Sequence, residues 1–435
     1  MILYYLMLLM NRFHSDPRFG MVLFDSGIVV VTPVKVVGLL AVMAAMFESH
    51  FFENRPKNSA PRLSNPLGVL FFGFLMIPIL ATCAFGTAMP ADSISIAISF
   101  GLMLMVTRLL LGTEKRILKS IRVLILASSL ASLWLYREHF IQHFARAEGV
   151  EQDANYEALT LITGIPLALW LARHELSAWW KRIAVGCVLV MAGGVLLTES
   201  RAGLIAAATI GLVAALCSRR KVVNLALVAM AAVVILGFGP SRLSQRFQNI
   251  KLSGQARNGD EESTRIHIEL LKAGVKMVAA HPIVGVGLEQ FKSVAPEYNS
   301  ELMRVARRSY IAHNTYLQIA AEDGLPAMIL FLALMGVALV NCQSVRRSSD
   351  KALADLGFAM QLAILGYGVA AASVTAEYVM PYWLIVFMSQ NLREIVRARA
   401  AQQVPGEPAP AERLRRQVKI HTSLIVPRQE RVHAG

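Results

Sequence analysis

The chain has 435 residues, 55% of them hydrophobic and 17% charged, with a mean hydropathy of +0.51. A soluble domain carries about a quarter of its residues as charges, so this composition excludes an ordinary soluble protein. The net charge of +14 raises nucleic acid as a partner, but the cations alternate from loop to loop as a topology signal, and no nucleic acid is expected.

Apolar runs near the ~20 residues that cross a bilayer as helix recur from end to end. Only helices satisfy their own backbone in lipid without closing a barrel. The reading is therefore an all-α, polytopic helical membrane protein with about 12 transmembrane helices. They fall at 1–11, 27–48, 67–84, 92–111, 119–137, 156–172, 180–198, 202–218, 221–238, 326–344, 354–374 and 378–391. The first is too short to cross comfortably. No cleavable signal is expected there, because no basic region precedes Met1–Met10 and no small-residue cleavage site follows.

Lys and Arg in the short loops set the orientation. One set of loops holds Arg55, Lys57 and Arg62; Lys115, Arg116 and Lys119; Arg173, Lys181 and Arg182; Arg219, Arg220 and Lys221; and Arg346, Arg347 and Lys351. The tail adds Arg393, Arg397, Arg399, Arg413, Arg415, Arg416 and Lys419. The intervening loops are nearly bare, with only Arg12 and Arg18, Arg146, and Arg201. The basic set and both termini face the cytoplasm, where they also attract anionic membrane lipids.

This orientation puts a long stretch after the ninth span on the outer, periplasmic side. Four parts follow: an N-terminal transmembrane bundle at 1–238, a periplasmic loop with short helices at 239–325, C-terminal transmembrane helices at 326–391, and a basic cytoplasmic tail at 392–435. The loop far exceeds the usual 2–8 residues between packed helices. Within it Ile268, Leu271, Val275 and Val278 stand at helical spacing, which predicts an amphipathic helix over Thr264 to Ala280. A second short helix is expected from His313 to Asp323, stopping at Gly324-Leu325-Pro326.

The four cysteines, Cys83, Cys187, Cys217 and Cys342, lie in or beside apolar spans with no paired spacing, and read as free thiols. No phosphate-cradling glycine loop, zinc-type His-Glu-x-x-His or serine elbow is present. No metal or cofactor is expected. Three outer-face groups stand apart. Arg201 follows the turn Thr198-Glu199-Ser200 and is either an interfacial arginine reaching headgroups or a phosphate ligand. Arg265 follows Asp260-Glu261-Glu262 and is either a surface ion-pair partner or, with a helix start, an anion clamp. His313 is either a satisfied interfacial histidine or a general base with a pKa near working pH.

Three stretches, taken in order, resemble the O-antigen ligase and polysaccharide polymerase superfamily. They are Glu199-Ser200-Arg201-Ala202-Gly203; Arg265 through His281-Pro282-Ile283-Val284-Gly285-Val286-Gly287; and Ala312-His313-Asn314-Thr315-Tyr316-Leu317 through Glu322-Asp323-Gly324-Leu325. Glu269 stands where the family often has Trp. The resemblance implies a bacterial inner-membrane glycosyltransferase with a periplasmic active site. Its donor would be an undecaprenyl-diphosphate-linked glycan and its acceptor the hydroxyl of lipid A-core, of another lipid-linked repeat, or of protein Ser or Thr. Ligation to lipid A-core is the expected reaction. Arg201 and Arg265 would bind the diphosphate and stabilise its developing charge. His313 would take the acceptor's proton, and Asn314 and Tyr316 would line the substrate site. Transfer would be metal-independent, by single displacement with inversion, since no carboxylate pair for a double displacement is evident. Gly285 and Gly287 read as turn geometry, and His281 as structural. A lipid-linked sugar transporter or flippase is the alternative of another class, but no repeated half is visible.

Overall fold

A computed structural model describes residues 1–13, 22–25, 30–51, 66–85, 91–238, 259–302 and 311–403. These are helical apart from turns and one two-residue antiparallel pairing, Phe24–Asp25 with Val30–Val31. The helices in chain order are α1 (Ile2–Asn11), α2 (Pro33–Phe51), α3 (Pro66–Phe85), α4 (Ala91–Leu110), α5 (Glu114–Phe140), α6 (Ala154–His174), α7 (Ala178–Leu197), α8 (Arg201–Leu216) and α9 (Lys221–Phe238). They continue with α10 (Gly259–Ala280), α11 (Phe291–Tyr298), α12 (Thr315–Glu322), α13 (Gly324–Arg346), α14 (Lys351–Ala370) and α15 (Met380–Gln403). A helix occupies each interval expected from the sequence. Among the described residues four are long and apolar enough to cross a membrane, Glu114–Phe140, Ala178–Leu197, Gly324–Arg346 and Lys351–Ser373, and shorter apolar helices accompany them. Of the stretch from Gly239 to Leu325, 239–258 and 303–310 lie outside the described residues.

Residues Met1–Arg393 form one compact unit, and Glu394–Gly435 a second, whose described residues 394–403 are helical. In the larger unit α6 is central, packed on α7, α14, α8 and α5. Helix α13 joins α14 to α3, and α1 bridges α2 and α5. Aromatic side chains bind α3, α13, α14 and α15. Phe71 meets Trp383 at 4.9 Å and Phe74 meets Phe331 at 5.8 Å between ring centroids, while Tyr367 and Tyr382 stack at 3.7 Å. Such ring pairs add ~1 kcal/mol each to area burial. Arg12, at the end of α1, is buried between Glu151 and Glu157 and lies 2.7 Å from the latter. Such a charge is tolerated in a core only when paired, so α1 is keyed to the start of α6.

The segment between α9 and α13 has a core of its own, built from Leu270, Ala273, Met277, Phe291, Ala295, Leu302, Ala312 and Ala321. Helix α10 is apolar on two sides. The inward side carries Leu270, Ala273 and Met277, whereas Ile268, Leu271 and Val275 of the expected stripe are 40–55% exposed. Periodicity identified the helix, but of the expected stripe only Val278 packs against this core. The reason is Gly274, where an added Cβ would lie 2.7 Å from Leu317 Cδ2: this close approach seats α12 against the Leu270–Met277 side.

Candidate active site

The turn between α7 and α8 is tied down from several directions. Glu199 has a left-handed backbone, φ 47°. The Thr198 hydroxyl donates to Val195 O at 2.7 Å, and Ser200 Oγ caps α8 by accepting from Gly203 N at 3.2 Å. Ser200 Oγ also donates to Asn155 Oδ1 at 2.8 Å. A Cβ on Gly203 would lie 2.7 Å from Ala158 Cβ, so only glycine lets α8 approach α6 this closely. Arg201 is therefore launched from a fixed first turn. Among the described residues its guanidinium has no hydrogen-bond or ionic partner.

Arg146 reaches the same turn from the segment after α5. Its Nε donates to Thr198 O at 3.2 Å and its Nη2 to Asn155 Oδ1 at 2.9 Å. Ala147 N donates to Leu197 O at 3.2 Å, pinning that segment in place. Asp153, close by, caps α6 by accepting from Asn155 N and Tyr156 N at 2.8 and 2.9 Å. A guanidinium held at two points has little side-chain entropy left to lose on binding an anion.

His313 stands just before α12 with φ 47°, a left-handed conformation uncommon outside glycine. The bonds around it account for that strain. Ala312 N donates to Gln318 Oε1 at 2.9 Å, and Asn314 Oδ1 caps the helix by accepting from Leu317 N at 3.0 Å. Thr315 Oγ1 donates to Val374 O at 2.7 Å and accepts from Ala376 N at 3.0 Å. His267, from α10, packs against His313 edge to face with 4.5 Å between ring centroids. Burial, then His313, then Arg201 and Arg146 push the His267 pKa down to about 4. Burial also lowers His313, opposed by the Asp153 carboxylate. Both imidazoles are thus neutral near pH 7, the state in which a histidine accepts a proton.

One cluster therefore collects Arg201, Arg146, His267, His313 and Asp153. Of the residues expected from sequence it unites Arg201 and His313. Arg265 precedes His267 by two residues, about 200° around a helix, and points elsewhere: it is 56% exposed and 3.9 Å from Glu301. Asn314 is engaged as the cap of α12. Tyr316 donates from its hydroxyl to Gly368 O at 2.7 Å and packs on Phe331. His281 meets the Tyr298 hydroxyl at 2.9 Å. Sequence reasoning missed Arg146 and His267. Arg146 carried a usable signal, as one of the few cations in the loops poor in Lys and Arg, while His267 carried none.

The turn after Pro282 is laced to the end of α12. Val286 N donates to Ala321 O and Gly287 N to Glu322 O, at 2.8 and 2.9 Å. Gly285 has φ +67°, and a Cβ there would lie 2.2 Å from Glu322 O. Glu322 Oε1 accepts from Phe291 N at 2.8 Å. Burial and the nearby Glu377 push the Glu322 pKa up to about 8. Asp323 and Glu377 are raised too, chiefly by burial. Among the described residues no three His, Cys, Asp or Glu side chains are grouped to hold a metal ion.

Residues 186–332 match the family described as O-antigen ligase. The match is to an O-antigen ligase domain. It runs from α7 into α13, and so takes in the Arg201 turn, α10 with Arg265 and His267, and the His313 segment. Arg146 and Asp153 lie outside it, contributed by the N-terminal helices. No curated protein matches the chain. The match supports a membrane glycosyltransferase of the ligase or polymerase type, a class that works on a lipid-linked glycan donor and a glycan acceptor.

Proposed function

We propose that this O-antigen ligase superfamily member transfers a glycan from undecaprenyl diphosphate to a hydroxyl of lipid A-core. The transfer takes place at the periplasmic face of a bacterial inner membrane that the chain spans about twelve times. The supporting observation is that His313 packs on His267, a partly buried ring that also feels the charges of Arg201 and Arg146 from distant parts of the chain.

In this reading the acceptor oxygen attacks the anomeric carbon as the bond from that carbon to phosphate oxygen breaks. The pair of electrons leaves with the diphosphate, whose growing charge meets Arg201 and Arg146. Preorganised donors of this kind contribute on the order of 3 kcal/mol each. The acceptor's proton passes to neutral His313, worth roughly 10²–10⁴-fold in rate. One displacement without a covalent enzyme intermediate inverts the anomeric centre, and no metal takes part. Arg265, turned toward Glu301, takes no part in this step, and Asn314 and Tyr316 border the substrate site through the backbone they hold.

The test is transfer from lipid-linked glycan in washed membranes. His313→Ala and Arg201→Ala should each lose at least a hundredfold in turnover while remaining in the membrane. Near-normal turnover in His313→Ala would remove the base assignment. Activity should persist in excess chelator; a loss restored by Mg²⁺ would overturn the metal-independent reaction. A knockout that accumulates polymer and lacks long-chain lipopolysaccharide fits ligation, whereas a single-repeat product indicates a polymerase.

A further inference from the structure

We propose that His267 is a positioning residue for the base: its ring closes one side of His313 against water and keeps that imidazole free to accept the acceptor's proton. The inference rests on the assignment of His313 as base. It adds a residue to which neither the family match nor the sequence pattern gives a role.

The geometry begins with α10. Gly274 and Leu317 bring α10 against α12, and Phe291 packs on the same glycine. His267 lies two helical turns before Gly274, about 10 Å along the axis, while His313 lies just ahead of α12. The close approach at Gly274 thus brings the two rings together. They meet edge to face, with a 63° interplanar angle at 4.5 Å. An aromatic edge against a face is the favoured arrangement of two rings, and it leaves no room for water between them.

The charged groups around the pair make the two histidines unequal. Arg201 at the start of α8 and Arg146 from the segment after α5 both bear on His267, disfavouring a second positive charge there. Asp153 at the start of α6 bears on His313 and favours a proton there. A proton taken from the acceptor therefore rests on the His313 ring and does not move on to His267. Before reaction the His267 ring denies His313 the water that would stabilise its cation. One ring carries the proton and the other stays neutral throughout the cycle.

The experiment follows the acidic limb of kcat/KM in the full-length protein in membranes, for wild type, His267→Ala, His267→Phe and His313→Ala. Rate requires neutral His313, so the limb marks its titration. His267→Ala admits water and should move the limb upward by about one pH unit. Its activity at pH 6 should then fall several-fold further than at pH 8. His267→Phe keeps a ring edge in place and should retain the wild-type limb with activity within a few-fold. An unmoved limb in His267→Ala overturns the proposal. So does a His267→Phe variant as inactive as His313→Ala at every pH, because His267 would then itself handle the proton. Failure of the underlying assignment looks different: His313→Ala would keep activity and an acidic limb, whatever the His267 variants do.

Discussion

Glu322 makes α12 sensitive to pH, and Glu322→Gln isolates the effect. The carboxyl is 3% exposed, with Oε1 accepting from Phe291 N, and Asp323 and Glu377 lie close by. Its pKa rises from the ordinary 4.5 to about 8, so the folded protein holds a proton that the unfolded chain releases. The stabilisation is complete below pH 4.5, declines as pH rises, and is gone above about 8. Each tenfold change in proton activity across that gap is worth about 1.4 kcal/mol, which makes the whole effect on the order of 5 kcal/mol. Glutamine keeps an oxygen for Phe291 N and carries no charge at any pH. Thermal unfolding of the purified protein in detergent, followed by tryptophan fluorescence at pH 5 and pH 8.5, measures the difference. Wild type should lose several degrees between the two, while Glu322→Gln should lose clearly less and melt higher than wild type at pH 8.5. The residual slope belongs to Asp323 and Glu377. Equal slopes in the two proteins would refute the burial argument.

Further outcomes follow from the same contacts. Arg201→Ala should lower kcat by 10²–10³-fold, the usual cost of one preorganised donor, with an unchanged melting point because no hydrogen bond among the described residues is lost; a rate within threefold of wild type would rule out its role. Gly285→Ala forces a side chain into a left-handed backbone, costing roughly 1–2 kcal/mol, and drives its Cβ onto Glu322 O. It should accumulate poorly in membranes, and normal yield with normal melting would contradict the packing described. Asn314→Ala removes the cap of α12, at about 1 kcal/mol, and should lower the melting point with little change in KM. A raised donor KM at unchanged melting would make Asn314 a substrate ligand after all.

The twelve helical intervals were legible because each is a long apolar run whose ends are marked by charge, proline or a capping residue. Asp153, Ser200 and Asn314 all act as N-caps, a role their positions before apolar runs already allowed. Arg201 was visible because cations are scarce in every second short loop. Arg12 and Arg146 belong to the same short set, and both are held inside the fold, Arg12 by Glu151 and Glu157 and Arg146 by Thr198 and Asn155. Arg146 was thus open to the same inference as Arg201. The packed side of α10 was not legible because its apolar residues lie on both sides, and helical period alone ranks neither.

The amino-acid sequence by itself determined the helical membrane class, the family-like segments and the identity of two residues in the cluster, because composition, local period and side-chain chemistry are properties of short stretches. Only the tertiary structure decided that Arg146, Arg201, His267 and His313 share one cluster while Arg265 turns toward Glu301. That choice is made where α10 meets α12 at Gly274 and α8 meets α6 at Gly203, close approaches between distant parts of the chain that no local pattern encodes.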